Sequence, residues 1–148
     1  MKKKRVLFIS STGGHLDELT QLKPMFEKYE YHIVTEKTKS NLNLKNKYPK
    51  KLSFLVYGTK DYMLTYPFKL LFNCFKSLFI FIKIKPKYIV STGAHTAGPM
   101  CCLGKILGSK IIYIETFANS KTKSMTGSLV YKFRFIYSTM GRHAKTIP

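Results

Sequence analysis

A repeated turn constrains the fold of this chain more than any other feature. Ser11-Thr12-Gly13-Gly14-His15 follows the apolar run Val6-Leu7-Phe8-Ile9, and Ser91-Thr92-Gly93-Ala94-His95 follows Tyr88-Ile89-Val90. In each case a short apolar, partly β-branched run reads as a strand, and glycine then lets the backbone turn sharply into a helix. The same alternation continues along the chain. Val6–Ser10, Tyr31–Thr35, Leu52–Tyr57, Tyr88–Ser91 and Lys110–Ile114 are predicted strands. Leu16–Lys28, Pro67–Ile84, Gly98–Leu107 and Ser128–Ile136 are predicted helices, and the polar stretch Lys37–Lys51 is a loop or a frayed helix. Strands alternating with helices predict an α/β fold, a Rossmann-like parallel sheet with flanking helices. The chain's 148 residues fit one such domain over 1–148. In a parallel sheet of this kind the carboxyl ends of the strands share one edge, and ligands bind in the crevice there. The two Gly-His loops should therefore face one crevice, together with Glu115 at the end of the run Ile111–Ile114.

Glycines at a strand-to-helix turn allow backbone N–H groups to approach an anion, and the helix adds its positive N-terminal end. Gly13, Gly14 and Gly93 are candidates for that role, and a tight turn with no ligand is the plainer reading of each. Neither loop matches G-x-G-x-x-G or a P-loop, so the chain carries no nucleotide or cofactor fingerprint of its own. Asp17 and Glu18, in the first turn of the first helix, suit its dipole but would repel a phosphate placed beside them. His15 and His95 could take a proton from a sugar hydroxyl near neutral pH, or simply cap and pack. Glu115 could bind hydroxyls, position a histidine, or serve as a cap or ion-pair partner. Cys74, Cys101 and Cys102 form no C-x-x-C pair and read as small buried hydrophobes, with no disulfide framework and no metal site.

Lys and Arg number 26 against 7 Asp and Glu, a net charge of +19, while 45% of residues are hydrophobic. That hydrophobic content excludes a disordered basic tail. The charge calls for an anionic partner: nucleic acid, anionic lipid or a phosphorylated substrate. No helix-turn-helix, zinc or RNA-binding motif supports nucleic acid. The predicted helix over 67–84 points to lipid instead. It is barely long enough to span a bilayer, and Lys76 near its middle would be costly there. A helix lying in the membrane interface fits better, with Phe68, Leu71, Phe72, Phe75 and Phe79 towards lipid and Lys76 and Lys83 towards headgroups. Lys69, Asn73, Lys76 and Lys83 recur along one narrow stripe of that helix. A crossover helix buried on the sheet is the alternative, and different faces can serve both purposes. The basic N-terminus precedes only four apolar residues, too few for a secretory h-region of ~7–15, which implies a cytoplasmic protein.

Five ordered motifs resemble a known family: Ser-Ser-Thr-Gly-Gly-His-Leu-Asp-Glu-Leu (10–19), Val-Thr-Glu-Lys-Thr (34–38), Lys-Pro-Lys-Tyr-Ile-Val-Ser-Thr-Gly-Ala (85–94), Gly-Ser-Lys-Ile-Ile-Tyr-Ile-Glu-Thr-Phe (108–117) and Thr-Gly-Ser-Leu-Val-Tyr (126–131). They resemble the small membrane-associated subunit of two-part glycosyltransferases. One branch of that family makes the chitobiosyl lipid of N-glycan assembly, and a bacterial branch serves capsule and exopolysaccharide synthesis. The resemblance implies the N-terminal, acceptor-binding half of a GT-B glycosyltransferase, similar to the lipid II–forming GlcNAc transferase. It implies a separate donor-binding subunit that supplies the UDP-sugar, a polyprenyl-diphosphate-linked sugar as acceptor, an anionic membrane surface as partner, and no nucleic acid. It places the chain at the cytoplasmic face of the cell membrane, peripheral or monotopic. Carried over by motif, His15 is the candidate base, with Glu115 a second candidate catalytic residue, and Thr12, Gly13, Gly14, Gly93, Ala94, His95 and Thr96 face the acceptor and its diphosphate. The chain departs from the pattern at Ala94, where the single-chain relative has Gly, and in Tyr131–Pro148, which lacks the family's Gln-Trp. A scaffold that recruits the catalytic subunit without chemistry of its own is the competing reading.

Overall fold

The computed structural model describes residues 3–57, 66–93, 97–115 and 136–139. Six parallel strands form one sheet in the order β3-β2-β1-β4-β5-β6: β1 Arg5–Ser10, β2 Glu30–Glu36, β3 Leu52–Leu55, β4 Tyr88–Gly93, β5 Lys110–Glu115 and β6 Ile136–Thr139. This is the expected Rossmann-like arrangement, and it has the layering that a parallel sheet requires, with both faces covered. Along β1 the side chains alternate between two cores. Val6 and Phe8 pack with Leu16, Leu19 and Phe26 on one face, and Leu7 and Ile9 pack with Ile80, Phe81, Met100 and Ile111 on the other. The order of the strands reverses direction between β1 and β4, which places the two Gly loops side by side at the carboxyl edge.

Three elements differ from expectation. The predicted helix Leu16–Lys28 is two helices, α1 Gly14–Gln21 and α2 Lys23–Lys28, broken at Leu22. Pro24 causes the break: it has no N–H to give to a carbonyl one turn back, and its ring clashes with that turn. Lys37–Lys51 holds a 3-10 turn at Lys39–Asn41 and the single-turn helix α3 Leu44–Lys47. Ile136, assigned from sequence to the end of a helix, instead opens β6 and pairs with Ile112 of β5. The rest of that predicted helix, 128–135, lies outside the described residues.

The crossover helix α4 (Tyr66–Ile84) and α5 (Gly98–Ile106) pack together on one face of the sheet. α4 has an inverted polarity. It turns Asn73, Ser77, Ile80 and Phe81 to the protein and leaves Phe68, Leu71, Phe72, Phe75, Phe79 and Ile82 exposed. Asn73 therefore leaves the polar stripe assigned to it from sequence. Its side chain is 1% exposed and clamps the backbone just past β3. The Asn73 Oδ1 accepts the Val56 N–H at 2.8 Å, and Nδ2 donates to the Val56 carbonyl at 2.9 Å. An amide is the one side chain of this size that satisfies a donor and an acceptor together. Asn73→Ala removes both bonds and leaves two backbone groups unpaired. It should lower stability by about 2 kcal/mol, read as a lower urea midpoint at an unchanged slope.

Candidate functional site

The first loop is built by a glycine that only glycine suits. Gly13 precedes α1 with φ 78°, in the left-handed region, and its carbonyl accepts the N–H groups of Leu16 and Asp17 at 2.9 and 3.2 Å. No side chain caps α1. The first-turn N–H groups at Gly14 and His15 have no carbonyl one turn back within the helix, so they are the groups a ligand would meet. A Cβ added at Gly13 or Gly14 would touch nothing within 4 Å, so the space beside this turn is open.

The second loop is joined to the first by a clasp. The pairing of β1 with β4 runs in register to Ile9 and Ser91, then slips so that Ser10 faces Gly93. Thr92 is the extra residue of that irregularity, freed from the ladder. It spends both of its polar groups on His15. Its hydroxyl donates to the His15 carbonyl at 2.7 Å, and its own carbonyl lies 3.0 Å from the His15 Nδ1. A carbonyl can only accept, so the ring hydrogen sits on Nδ1, and Nε2 is left as the basic nitrogen. The Glu18 carboxylate stands 3.7 Å from the same Nδ1, one helical turn on. Gly93 (φ 122°) lets the ring lie where it does: a Cβ there would come within 3.1 Å of His15 Cε1 and 3.2 Å of the Tyr113 hydroxyl. The Gly93 N–H donates to Ser91 Oγ at 3.2 Å, so this glycine's demand is steric.

The structure thus brings Gly13, Gly14, His15, Thr92 and Gly93 together at one edge. Thr12 sits beside them, its hydroxyl 3.3 Å from that of Thr38. Glu115 ends β5 at the same edge, its backbone opposite Thr139. Ala94, His95 and Thr96 lie outside the described residues. Two residues given no role from sequence belong to the site, Thr92 and Glu36. The carboxylate of Glu36, buried at the carboxyl end of β2, accepts the Thr12 N–H at 3.3 Å and so fixes the first loop from the other side. Its sequence cues were its place at the end of a strand-like run and inside the motif Val-Thr-Glu-Lys-Thr (34–38). Cys101 is buried, and burial together with its neighbour Cys102 pushes its thiol up to about 12, consistent with a packing role. Among the described residues no cluster could hold a metal ion.

The residues expected at a membrane lie elsewhere on the molecule, on α4. Phe68, Phe75 and Phe79 are 75%, 66% and 69% exposed, and Leu71 and Phe72 stand in the same row. Lys76 and Lys83 flank it. Ile106 and Leu107, at the end of α5, add to the exposed apolar surface. Among the described residues no helix is long and apolar enough to cross a membrane.

The model of the family described as "Oligosaccharide biosynthesis protein Alg14 like" matches residues 6–139. The chain belongs to that family. Membership makes it a protein of oligosaccharide biosynthesis, in a family whose members are the membrane-associated partner of a UDP-GlcNAc glycosyltransferase. No curated protein sequence matches it significantly. Among solved structures it is similar to MurG of Acinetobacter baumannii, at TM-score 0.75 and 16% identity over 98% of this chain and 43% of that one. It is also similar to the UDP-GlcNAc 2-epimerase of Methanocaldococcus jannaschii (0.66, 15%, 90% and 38%) and to that of Rickettsia bellii (0.60, 14%, 88% and 36%). These likenesses establish the fold, the Rossmann-like N-terminal half of a GT-B glycosyltransferase. The chain spans less than half the length of each of these structures.

The glycines of this Alg14-like site separate structural demand from ligand access. Gly93→Ala forces the His15 ring aside at a strained φ and should cost about 1–3 kcal/mol. Gly14→Ala meets no atom and should change stability by less than about 0.5 kcal/mol. Thermal melts of the two variants check both values.

Proposed function

We propose that this protein is the acceptor-binding half of a two-chain glycosyltransferase. It holds a polyprenyl-diphosphate-linked sugar at the cytoplasmic face of the membrane, while a separate subunit supplies the UDP-sugar. The clasp between His15 and Thr92 carries this reading, because it fixes the ring in the tautomer that a base needs, at the edge where Rossmann-like sheets bind ligands. In this reading Nε2 takes the proton of the acceptor hydroxyl as its oxygen bonds to C1 of the donor sugar. The C1–O bond to the nucleotide breaks, and its electron pair leaves with the diphosphate. The Thr92 carbonyl holds the Nδ1 side of the ring throughout. Gly13 sets the turn that offers the Gly14 and His15 backbone N–H groups to the acceptor's diphosphate, and Gly93 seats the histidine. Glu115 as a second catalytic residue and Ala94, His95 and Thr96 as acceptor contacts rest on the motif resemblance. Assignment to capsule or exopolysaccharide synthesis rests on the motif resemblance.

The outer face of α4 is the membrane contact in this reading. Its phenyl row enters the interface, and Lys76 and Lys83 meet the headgroups. The net charge of +19 acts in the same direction.

Two measurements test the assignment. His15→Ala should leave assembly with the donor subunit intact and lower the complex's transfer rate by ~100-fold or more. A near-normal rate removes the base and leaves a recruiting scaffold. The pair Phe72→Asp and Phe75→Asp changes only exposed side chains, so it should keep the fold and release the protein from membranes in a flotation assay.

A further inference from the structure

A second feature lies away from the crevice, between β3 and the C-terminal half of α4. It is a cleft of about 470 Å³, within the ~300–1,000 Å³ usual for ligand sites. Lys37, Lys45, Lys76 and Lys83 line it, and among the described residues no carboxylate does. Its polar wall is His32 on β2, whose Nε2 lies 2.8 Å from Ser53 Oγ on β3. Burial first, and the Lys83 ammonium second, push His32 down to about 4, so the ring is neutral at pH 7 and the lysines supply the charge. Ammonium groups gathered around a concave, partly desolvated space repel one another, and an anion relieves that repulsion. Phe79 decides which anion. It lines the cleft between Lys76 and Lys83, and it also stands in the exposed phenyl row. The mouth of the cleft is therefore continuous with the apolar surface, so a ligand seated there would have its charged part among the lysines and any alkyl part along the row.

We propose that this cleft binds the phosphate-bearing headgroup of an anionic glycerophospholipid. The proposal rests on reading α4 as the membrane face, and it adds a specific seat to a surface that would otherwise act by diffuse charge. The site is distinct from the crevice at His15: its walls come from β2, β3, α4 and the segment around α3, and it uses none of the loop residues.

The test compares two variants of equal charge loss in the full chain. Lys37→Gln with Lys45→Gln removes two ammonium groups from the cleft and none from α4. Lys23→Gln with Lys28→Gln removes two exposed lysines from α2, on the other face of the sheet. Binding is measured on phosphatidylcholine vesicles with and without phosphatidylglycerol. The cleft pair should weaken binding to the phosphatidylglycerol vesicles about tenfold more than the α2 pair does. Equal losses overturn the proposal and leave the membrane reading of α4 standing. Soluble glycerol 3-phosphate is the second probe, followed through the His32 ring resonance. It should shift that resonance and compete the protein off phosphatidylglycerol vesicles, and do neither with the cleft pair. If it saturates the resonance while vesicle binding is unaffected, the cleft takes a soluble phosphate ester and the lipid assignment falls. A wild-type chain that binds neither vesicle, while its resonance still responds, overturns the membrane reading itself.

Discussion

The site depends on one reciprocal contact. Thr92 gives its hydroxyl to the His15 carbonyl and receives the His15 ring nitrogen on its own carbonyl. Everything near it follows from making that contact possible. The slip between β1 and β4 releases Thr92 from the ladder. Gly93 has no Cβ, so the ring can lie against its backbone. Gly13, in the left-handed region, turns α1 so that its first residues meet β4. Thr92 and His15, far apart in sequence, are joined, and a histidine whose tautomer would otherwise be free is set by geometry. Glu36 holds the opposite flank of the same loop through the Thr12 N–H. The buried carboxylate so close to a proposed diphosphate seat means that any anion must approach from the side of Gly14, away from β2.

α4 divides the molecule's tasks by face. A helix in a soluble protein commonly buries its apolar stripe and shows its polar one. Here the inward stripe includes Asn73 and Ser77, and the outward stripe carries phenyl groups. Asn73 is tolerable there because it replaces two water contacts with two backbone hydrogen bonds. The outward phenyls make sense only with a covering, and the family supplies the setting in which a membrane is near. The crossover reading holds on the inner face of the helix, and the interfacial reading is the one we propose for its outer face.

The architecture was legible because its signals are local. Short apolar runs gave the first five strands, and the twin Gly-His turns pointed to one shared edge. Boundaries were read less well where one residue overrides periodicity. Leu16, Leu19 and Phe26 keep helical spacing straight through the break at Leu22, and only Pro24 marks it. β6 was missed because Ile136–Thr139 is four residues whose strand character comes from pairing with β5, which no local pattern reveals. At the site, His15, Gly13 and Gly93 could be named from motif and turn chemistry. Thr92 and Glu36 could not, because their roles come from a register slip and from a contact across strands. Asn73 was misplaced for a related reason: helical spacing fixes a side chain's direction, but which direction is inward depends on the sheet.

α4 also sets the attitude of the molecule. Its 19 residues, at ~1.5 Å each, run about 28 Å from the crevice edge of the sheet to the opposite edge, antiparallel to the strands. When such a helix lies flat on a bilayer, the strands lie flat as well, and their carboxyl ends point along the surface instead of away from it. The crevice then opens sideways at headgroup height. A lipid-linked sugar would reach His15 by lateral diffusion in its own leaflet, without being lifted out of the membrane.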